Sequence, residues 1–411
     1  MMHTKAPLCR GCQAVLPDPF LDLGRTPLAN ALVKPEALHL TEAIFPLAVA
    51  YCETCHLVQL TSIVPPEQMF TDYLYFSSYS ESFLAHAHEM ANTLIARFKL
   101  TDQNRVLEIA SNDGYLLQYF KQCGVPVLGI EPAKNIAAEA KKRGIPTLER
   151  FFGLESIQEI QDCFGQADII IGNNVLAHVP MIHDFLKAVK ICLKSTGSAV
   201  FEFPYLQALL DKTEFDTIYH EHVFYFSLSA IKNLAERAGL ELFDVVPQTI
   251  HGGSLRVFLA HKGAYAVTSN VVTFLEKEKV TGLTSSERYT SFSQEVSFLK
   301  EKLLALLRGF KASGRKLAAY GAPAKGSTLL NFCGIGTDLL QFTVDRSPHK
   351  QGLWMPGSRL PIKPPDALLK EMPDYTLILP WNIAEEIIGQ QKEYLERGGK
   401  FIIPVPTPKI I

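Results

Sequence analysis

The run Val106-Leu-Glu-Ile-Ala-Ser-Asn-Asp-Gly-Tyr-Leu-Leu-Gln-Tyr-Phe-Lys-Gln-Cys-Gly-Val-Pro-Val-Leu-Gly-Ile-Glu131 holds one full beat of an alternating α/β chain. It opens as a short apolar strand through Ala110, tightens at Ser111-Asn-Asp-Gly114, continues as an amphipathic helix from Tyr115 to Gln122, and returns to a strand, Val127-Leu-Gly-Ile130. Upstream, a helical stretch covers about Glu81 to Lys99. Downstream, strands are expected at Ala167-Asp-Ile-Ile-Ile171 and Ser198-Ala-Val-Phe-Glu-Phe203, with a helix from about Met181 to Leu193 between them. Short, mainly apolar strands separated by helices are the pattern of a doubly wound parallel sheet with both faces covered. Such a sheet binds ligands at the carboxyl ends of its strands.

Those strand ends carry acids. Around the turn, Glu108, Ala110, Asn112 and Asp113 are placed to meet the amino-acid end of an adenosylmethionine, and Glu131, 23 residues after Glu108, to accept both ribose hydroxyls. Methyltransferases and nicotinamide enzymes share that spacing. The absence of GxGxxG argues against a dinucleotide pyrophosphate at this turn. Asn173 and Asn174, ending the fourth strand, are placed either to contact adenine or methionine or to close the strand as an Asx turn.

The amino-terminal residues read as a separate module. Cys9-Arg-Gly-Cys12 and Cys52-Glu-Thr-Cys55 are two CxxC turns, which together supply the closed four-thiolate shell that Zn²⁺ accepts. Such a site holds together a module too small for a core of its own and performs no catalysis. The other four cysteines lie singly in apolar segments, so a reducing compartment is expected rather than a disulfide framework.

With 411 residues the chain exceeds one hydrophobic core, and a net charge of −2 without a basic run makes a nucleic-acid partner unexpected. No signal-like or membrane-length apolar stretch is present, which points to a cytoplasmic protein without a membrane partner. Apolar residues at Tyr289, Phe292, Val296, Leu299, Leu303, Leu306 and Phe310 mark a long packed helix. Beyond it, Lys316-Leu-Ala-Ala-Tyr320 is a strand, Gly321 to Gly326 a loop and Ser327 to Phe332 a helix. Two further strands end at Asp345 and at Pro380-Trp-Asn382. The three strand ends form a crevice in which a glycine-bounded loop, with Lys325, can cradle phosphate.

Six motifs occur in order: the paired CxxC turns, Tyr75-Phe-Ser-Ser-Tyr-Ser80, Glu108-Ile-Ala-Ser-Asn-Asp-Gly114, Tyr219-His-Glu-His222, His251-Gly-Gly-Ser-Leu-Arg256 and Tyr320-Gly-Ala-Pro-Ala-Lys-Gly326. In this combination, from Cys9 to about Pro406, the chain resembles the sugar C-methyltransferase family. Ala110 departs from the glycine common in methyltransferase turns.

The resemblance implies an α/β protein of three domains: a zinc-binding module (1–75), a central Rossmann-like methyltransferase domain (76–245) and a C-terminal Rossmann-like domain (246–411). It implies transfer of a methyl group from S-adenosylmethionine to C3 of a nucleotide-linked 4-keto-6-deoxysugar, with dTDP as the expected nucleotide. His222 is then the base, flanked by Tyr219, Glu221 and His178. Tyr75, Ser78, Tyr79, His251, Lys325, Lys350 and Arg359 are the expected sugar-nucleotide contacts. Removing a proton alpha to a ketone, stabilising the enolate oxygen and aligning the carbon with the methyl suit a neutral imidazole among aromatic side chains.

Simpler readings stand beside these. His220-x-His222 would suit a metal pair but lacks an evident third ligand, and His220 alone would serve as a cap. His178 would serve as a loop histidine, and His251-Gly-Gly as a plain turn. The same cluster would also serve methylation at C5 or at a hydroxyl, and a zinc-ribbon adaptor that binds ligand without catalysis is the reading from another class. The oligomeric state is not readable, and a monomer is compatible with the sequence.

Overall fold

The computed structural model describes residues 7–65, 68, 69, 78 and 81–411, the side chains of Ser82 and His251 excepted. Tyr75 and Tyr79 therefore lie outside the described residues, as does the side chain of His251. In chain order the first strands are β1 (Leu21–Thr26), β2 (Phe45–Tyr51), β3 (Val58–Leu60), β4 (Val106–Ile109), β5 (Val127–Ile130) and β6 (Thr147–Leu148). They continue as β7 (Ala167–Asn173), β8 (Leu193–Pro204), β9 (Phe224–Tyr225), β10 (Leu240–Gln248) and β11 (Ser254–His261). The last six are β12 (Leu317–Tyr320), β13 (Thr343–Val344), β14 (Ile362–Lys363), β15 (Tyr375–Ile378), β16 (Lys400–Ile403) and β17 (Lys409–Ile410).

Among the described residues these strands form three sheets. The central one runs β10-β11-β8-β7-β4-β5-β6. Its β4, β5, β6, β7 and β8 are mutually parallel, while β11 lies antiparallel between β8 and β10. Every residue of β4 and β5 is buried, as strands covered on both faces require. The third sheet, β14-β13-β12-β15-β16-β17, is parallel except for its last strand.

The boundary expected between 245 and 246 falls inside β10, and β11 still belongs to the central sheet. The cause is a hairpin: Gln248 pairs with Ser254 and Leu240 with His261, so the chain leaves this sheet only after His261. The first sheet has a similar surprise. Its order is β1-β2-β3-β9, so two residues from the middle of the chain complete the amino-terminal module.

Helix Ser286–Ala312 joins the parts. It buries Tyr289, Phe292, Val296, Leu299, Leu303 and Leu307, with Leu307 in the core position expected of Leu306. Leu306 and Phe310 are half-buried. Over six turns a 3.6-residue period drifts from the 3.5 of the apolar pattern, which moves the stripe by one residue. At one end Tyr289 stacks on Tyr51 with ring centroids 4.2 Å apart, and at the other Phe310 stacks on Tyr375 at 3.8 Å. Among the described residues no helix is long and apolar enough to cross a membrane.

Candidate active site

The four cysteines expected to hold zinc meet with their sulfurs all within 4.8 Å of one another, the one candidate metal cluster among the described residues. Cys9 and Cys55 Sγ are 3.5 Å apart, and Cys12 and Cys52 Sγ 3.4 Å. A Zn–S bond of about 2.3 Å makes the edges of a ZnS₄ tetrahedron about 3.8 Å, so the cradle fits the ion. Gln59 Nε2 (3.0 Å) and Gly11 N (3.3 Å) donate to Cys9 Sγ, which suits a thiolate ligand.

At the carboxyl ends of β4 and β5 the backbone does what the turn sequence requires. Ala110, Asn112 and Gly114 all have positive φ (54°, 49° and 79°), folding the loop tightly over the strand ends. Asn and Gly tolerate this, whereas at Ala110 it costs about 1–2 kcal/mol. Gly129 gives room to Ser111, whose Oγ would lie 2.3 Å from a Cβ there. Glu131 accepts from Asn112 N at 3.0 Å and from Ala133 N at 2.9 Å, so it braces the loop from below. Each carboxylate oxygen keeps capacity for a further donor, such as a ribose hydroxyl. Burial pushes Glu131 up and Glu108 well above the usual carboxylate range. Glu108 Oε2 and Asn173 Oδ1 are buried without a hydrogen-bond partner at the ends of adjacent strands. Two orphaned acceptors and a buried carboxylate with spare acceptor capacity fit a ligand bearing an ammonium, an amine and a diol. Asp113, fully buried, has the Arg143 guanidinium 3.2 Å away. Asn174 sits at φ 54°, its N–H donating to Glu202 O at 2.7 Å, so its backbone closes the strand.

The histidine segment lies where the three sheets meet. His222 Nδ1 is 2.9 Å from Thr217 O and its Nε2 3.0 Å from Tyr219 Oη. A carbonyl only accepts, so Nδ1 carries a proton, and in the neutral ring Nε2 carries the lone pair. His178 is set the same way, with Nδ1 donating to Glu221 O at 2.7 Å, and its ring stands edge-on to His222 at 5.0 Å. Burial lowers His178 to about 4, which keeps it neutral. Glu221 accepts from Asn30 Nδ2 at 2.6 Å, and burial raises its carboxyl. His220, 2% exposed, turns away to Pro46 O at 3.2 Å, so the metal-pair reading of His220 and His222 lacks a shared face.

The expected nucleotide contacts are dispersed. Lys325 is in the first turn of helix Ala324–Cys333, which starts three residues earlier than expected because Pro323 fits the N-cap and nothing in Ala324-Lys325-Gly326 breaks the helix. Its Nζ lies 4.4 Å over the Trp381 ring and donates to Asn382 Oδ1 at 2.5 Å. Lys350 Nζ donates to Ala322 O at 2.8 Å, tying down the loop after β12. Arg359 is paired with Glu42 at 2.7 Å and reaches Leu40 O at 3.0 Å, so it fastens the third sheet to the amino-terminal module. Gly252, with φ 84°, leaves room for Glu214, whose Oε1 would stand 2.6 Å from a Cβ. Ser78 is half-buried, just before helix Glu81–Phe98.

Three groups escaped the sequence reading. Asn30 comes from the zinc module, in a loop with no pattern. Asp216, fully buried, accepts from Trp381 Nε1 at 2.7 Å and is pushed up to about 6 by burial, against the pull of Lys325. Glu202 joins Arg256 (2.9 Å) and His86 (2.7 Å) in a buried network beside β7. Only the charge of Arg256 inside an apolar strand signalled it.

Comparison with known proteins accords with this geometry. Residues 9–70 match a family model described as "Putative zinc binding domain", 83–245 one described as "Methyltransferase domain", and 249–406 one described as "C-methyltransferase C-terminal domain". Fold, strand-end acids and matched domains define a zinc-containing enzyme that uses S-adenosylmethionine as methyl donor. The C-methyltransferase NovU of Streptomyces niveus is 39% identical over 407 residues, 98% of this chain and 96% of that one. The chain belongs to the sugar C-methyltransferase family. Among solved structures, magnesium protoporphyrin IX methyltransferase of Synechocystis with bound SAH aligns at TM-score 0.36 and 12% identity, covering 44% of this chain and 83% of that one. The glycopeptide N-methyltransferase MtfA aligns at TM-score 0.34 and 13% identity, covering 43% and 96%.

Proposed function

We propose that the acceptor is C3 of a nucleotide-linked 4-keto-6-deoxysugar, with dTDP the nucleotide, and that His222 removes the C3 proton. The observation that carries this reading is the pairing of His222 Nδ1 with Thr217 O (2.9 Å) and of Nε2 with Tyr219 Oη (3.0 Å). Both imidazoles present Nε2 as an acceptor. His178, neutral and protonated on Nδ1, is therefore no donor from that atom, and donation to the C4 oxygen falls to the Tyr219 hydroxyl. When a ketone oxygen takes the tyrosine's proton donor, Nε2 of His222 is released to accept the C3 proton. Bound adenosylmethionine supplies the electrophilic methyl. Glu108, Asn112, Asp113, Glu131 and Asn173 hold it from the strand ends, and the buried aromatic walls around His222 exclude water. The third sheet, with Lys325 and Lys350 near its strand ends, takes the nucleotide, and the cytoplasm is the compartment that supplies both substrates.

With S-adenosylhomocysteine in place of the methyl donor, the wild type is expected to exchange the C3 proton of a dTDP-linked 4-keto-6-deoxysugar with deuterium. His222→Ala is expected to lose exchange and turnover by about 10²-fold or more while binding both ligands within a few-fold. A variant that keeps turnover within about threefold removes His222 from the role. A product methylated at C5 or oxygen moves the acceptor.

A further inference from the structure

Trp381 lies in sequence far from the histidine segment, on the turn Trp381–Ile383 that follows β15. In space it stands directly behind that segment. Its indole N–H donates to Asp216 Oδ2 at 2.7 Å across 165 residues of chain. Asp216 is the middle residue of the turn Phe215–Thr217, whose backbone is closed locally: Thr217 N donates to Glu214 O at 3.1 Å, and Ile218 N to Phe215 O at 3.0 Å. The next carbonyl, Thr217 O, is the one that accepts from His222 Nδ1 at 2.9 Å. A single short turn thus separates the buried Asp216 anchor from the atom that decides which nitrogen of His222 is protonated.

The anchor is held on several sides. Phe215 packs on Phe332 of helix Ala324–Cys333, with centroids 5.2 Å apart, and Lys325 Nζ covers the indole face at 4.4 Å. A fully buried carboxylate needs its few donors, and among the described residues the indole is the one side chain hydrogen-bonded to Asp216 Oδ2. Trp381, Asp216 and Thr217 then form one line of contact from the third sheet to His222.

We propose that Trp381 is a positioning residue of the catalytic centre, whose N–H acts through Asp216 to hold Thr217 O where it keeps His222 in the Nδ1–H tautomer. The third sheet therefore does more than face a nucleotide. It sets the proton on the base. The kinetic part of this inference rests on His222 being the base, and the tautomer part does not.

The test uses the zinc-loaded full chain with ¹⁵N-labelled histidine rings, the His222 signals being assigned by their loss in His222→Ala. The wild type is expected to show His222 protonated at Nδ1 and bare at Nε2. Trp381→Phe keeps the ring beneath Lys325 and deletes the donor, and is expected to move His222 toward a mixture containing the Nε2–H form. Asp216→Asn keeps an acceptor for the indole and is expected to preserve the wild-type tautomer. With the dTDP-linked 4-keto-6-deoxysugar as probe, kcat of Trp381→Phe is expected to fall about tenfold, the worth of one net hydrogen bond, with both KM values nearly unchanged. An unmoved His222 tautomer in Trp381→Phe overturns the inference, whatever happens to kcat. A moved tautomer with unchanged kcat leaves Trp381 as the positioning residue and refutes His222 as the base.

Discussion

Glu278 offers a severe test of how the central domain is held together. It is fully buried near the end of helix Ser269–Val280 and gathers donors from the start of helix Leu228–Ala238. Oε1 accepts from Leu228 N (2.6 Å) and Tyr205 Oη (2.9 Å), and Oε2 from Ser229 N (2.8 Å) and Ser229 Oγ (2.6 Å). Ser227 Oγ accepts from Ala230 N at 3.1 Å, so the first three N–H groups of this helix all end on side chains. In Glu278→Gln the amide oxygen can serve one pair of donors, and the hydroxyl of Ser229 can rotate to accept from the new NH₂. The Ser229 N–H cannot, and is left facing a donor. One unpaired buried N–H costs about 1–3 kcal/mol, and loss of the negative charge at a helix N-terminus about 1 kcal/mol more. The expected destabilisation is about 3 kcal/mol, or about 6–12 °C in the unfolding midpoint of a unit this size. Glu278→Ala strands all four donors and is expected to lose more. Scanning calorimetry of the zinc-loaded proteins reads both shifts. A Glu278→Gln midpoint within about 1 °C of wild type would show that the four bonds are not acting as a cap.

Other perturbations reach the site itself. The Cys12→Ser, Cys52→Ser double variant is expected to lose zinc and turnover together, because β9 and Asn30 tie the module to the histidine segment; native mass spectrometry showing full zinc occupancy contradicts the ligand set. Glu131→Ala is expected to weaken adenosylmethionine binding about tenfold or more, since the loop brace and the proposed ribose acceptor are lost together; unchanged affinity by calorimetry places the ribose elsewhere. His178 is depressed from 6.5 to about 4 by burial, so between those values the unfolded chain binds the extra proton and the fold loses stability as pH falls. His178→Gln is expected to flatten that part of the stability profile, and an unchanged slope in pH-dependent denaturation would show that the imidazole is already protonated in the fold.

What could be read from the sequence was whatever repeats locally. β4, the tight turn and β5 announce themselves by apolar runs and turn residues, and two CxxC pairs announce a metal by spacing alone. The histidine segment was visible as a crowd of costly side chains, and its roles came from family resemblance. Partnerships across long stretches of chain were not legible. Asn30 meets Glu221 191 residues away, and nothing in the loop around it distinguishes that amide from a solvated one. Trp381 looked like the end of a local strand, and nothing in the sequence singled out Asp216 as its partner. Arg359 was read only as a sugar-nucleotide contact, because a lone arginine carries no sign in the sequence of its ion-pair partner, Glu42. The two residues of β9 were too few for periodicity to register. Lys325 was assigned to a loop because glycines bracket it, although a proline at the N-cap starts the helix ahead of it.

The pairing of β9 with β3 bears on how the protein is made. On the ribosome the amino-terminal cysteines emerge early and can take up their metal, but the sheet they anchor then has an open edge along β3. That edge stays without its final strand until the histidine segment has been synthesised, after most of the central sheet has emerged. An exposed strand edge is a template for wrong pairing. The nascent chain is therefore most vulnerable in the interval between metal capture and the arrival of Phe224, and the same closing step that protects it also seats the segment that carries His222. A truncated chain ending before Phe224 would carry a folded metal module with an unprotected edge.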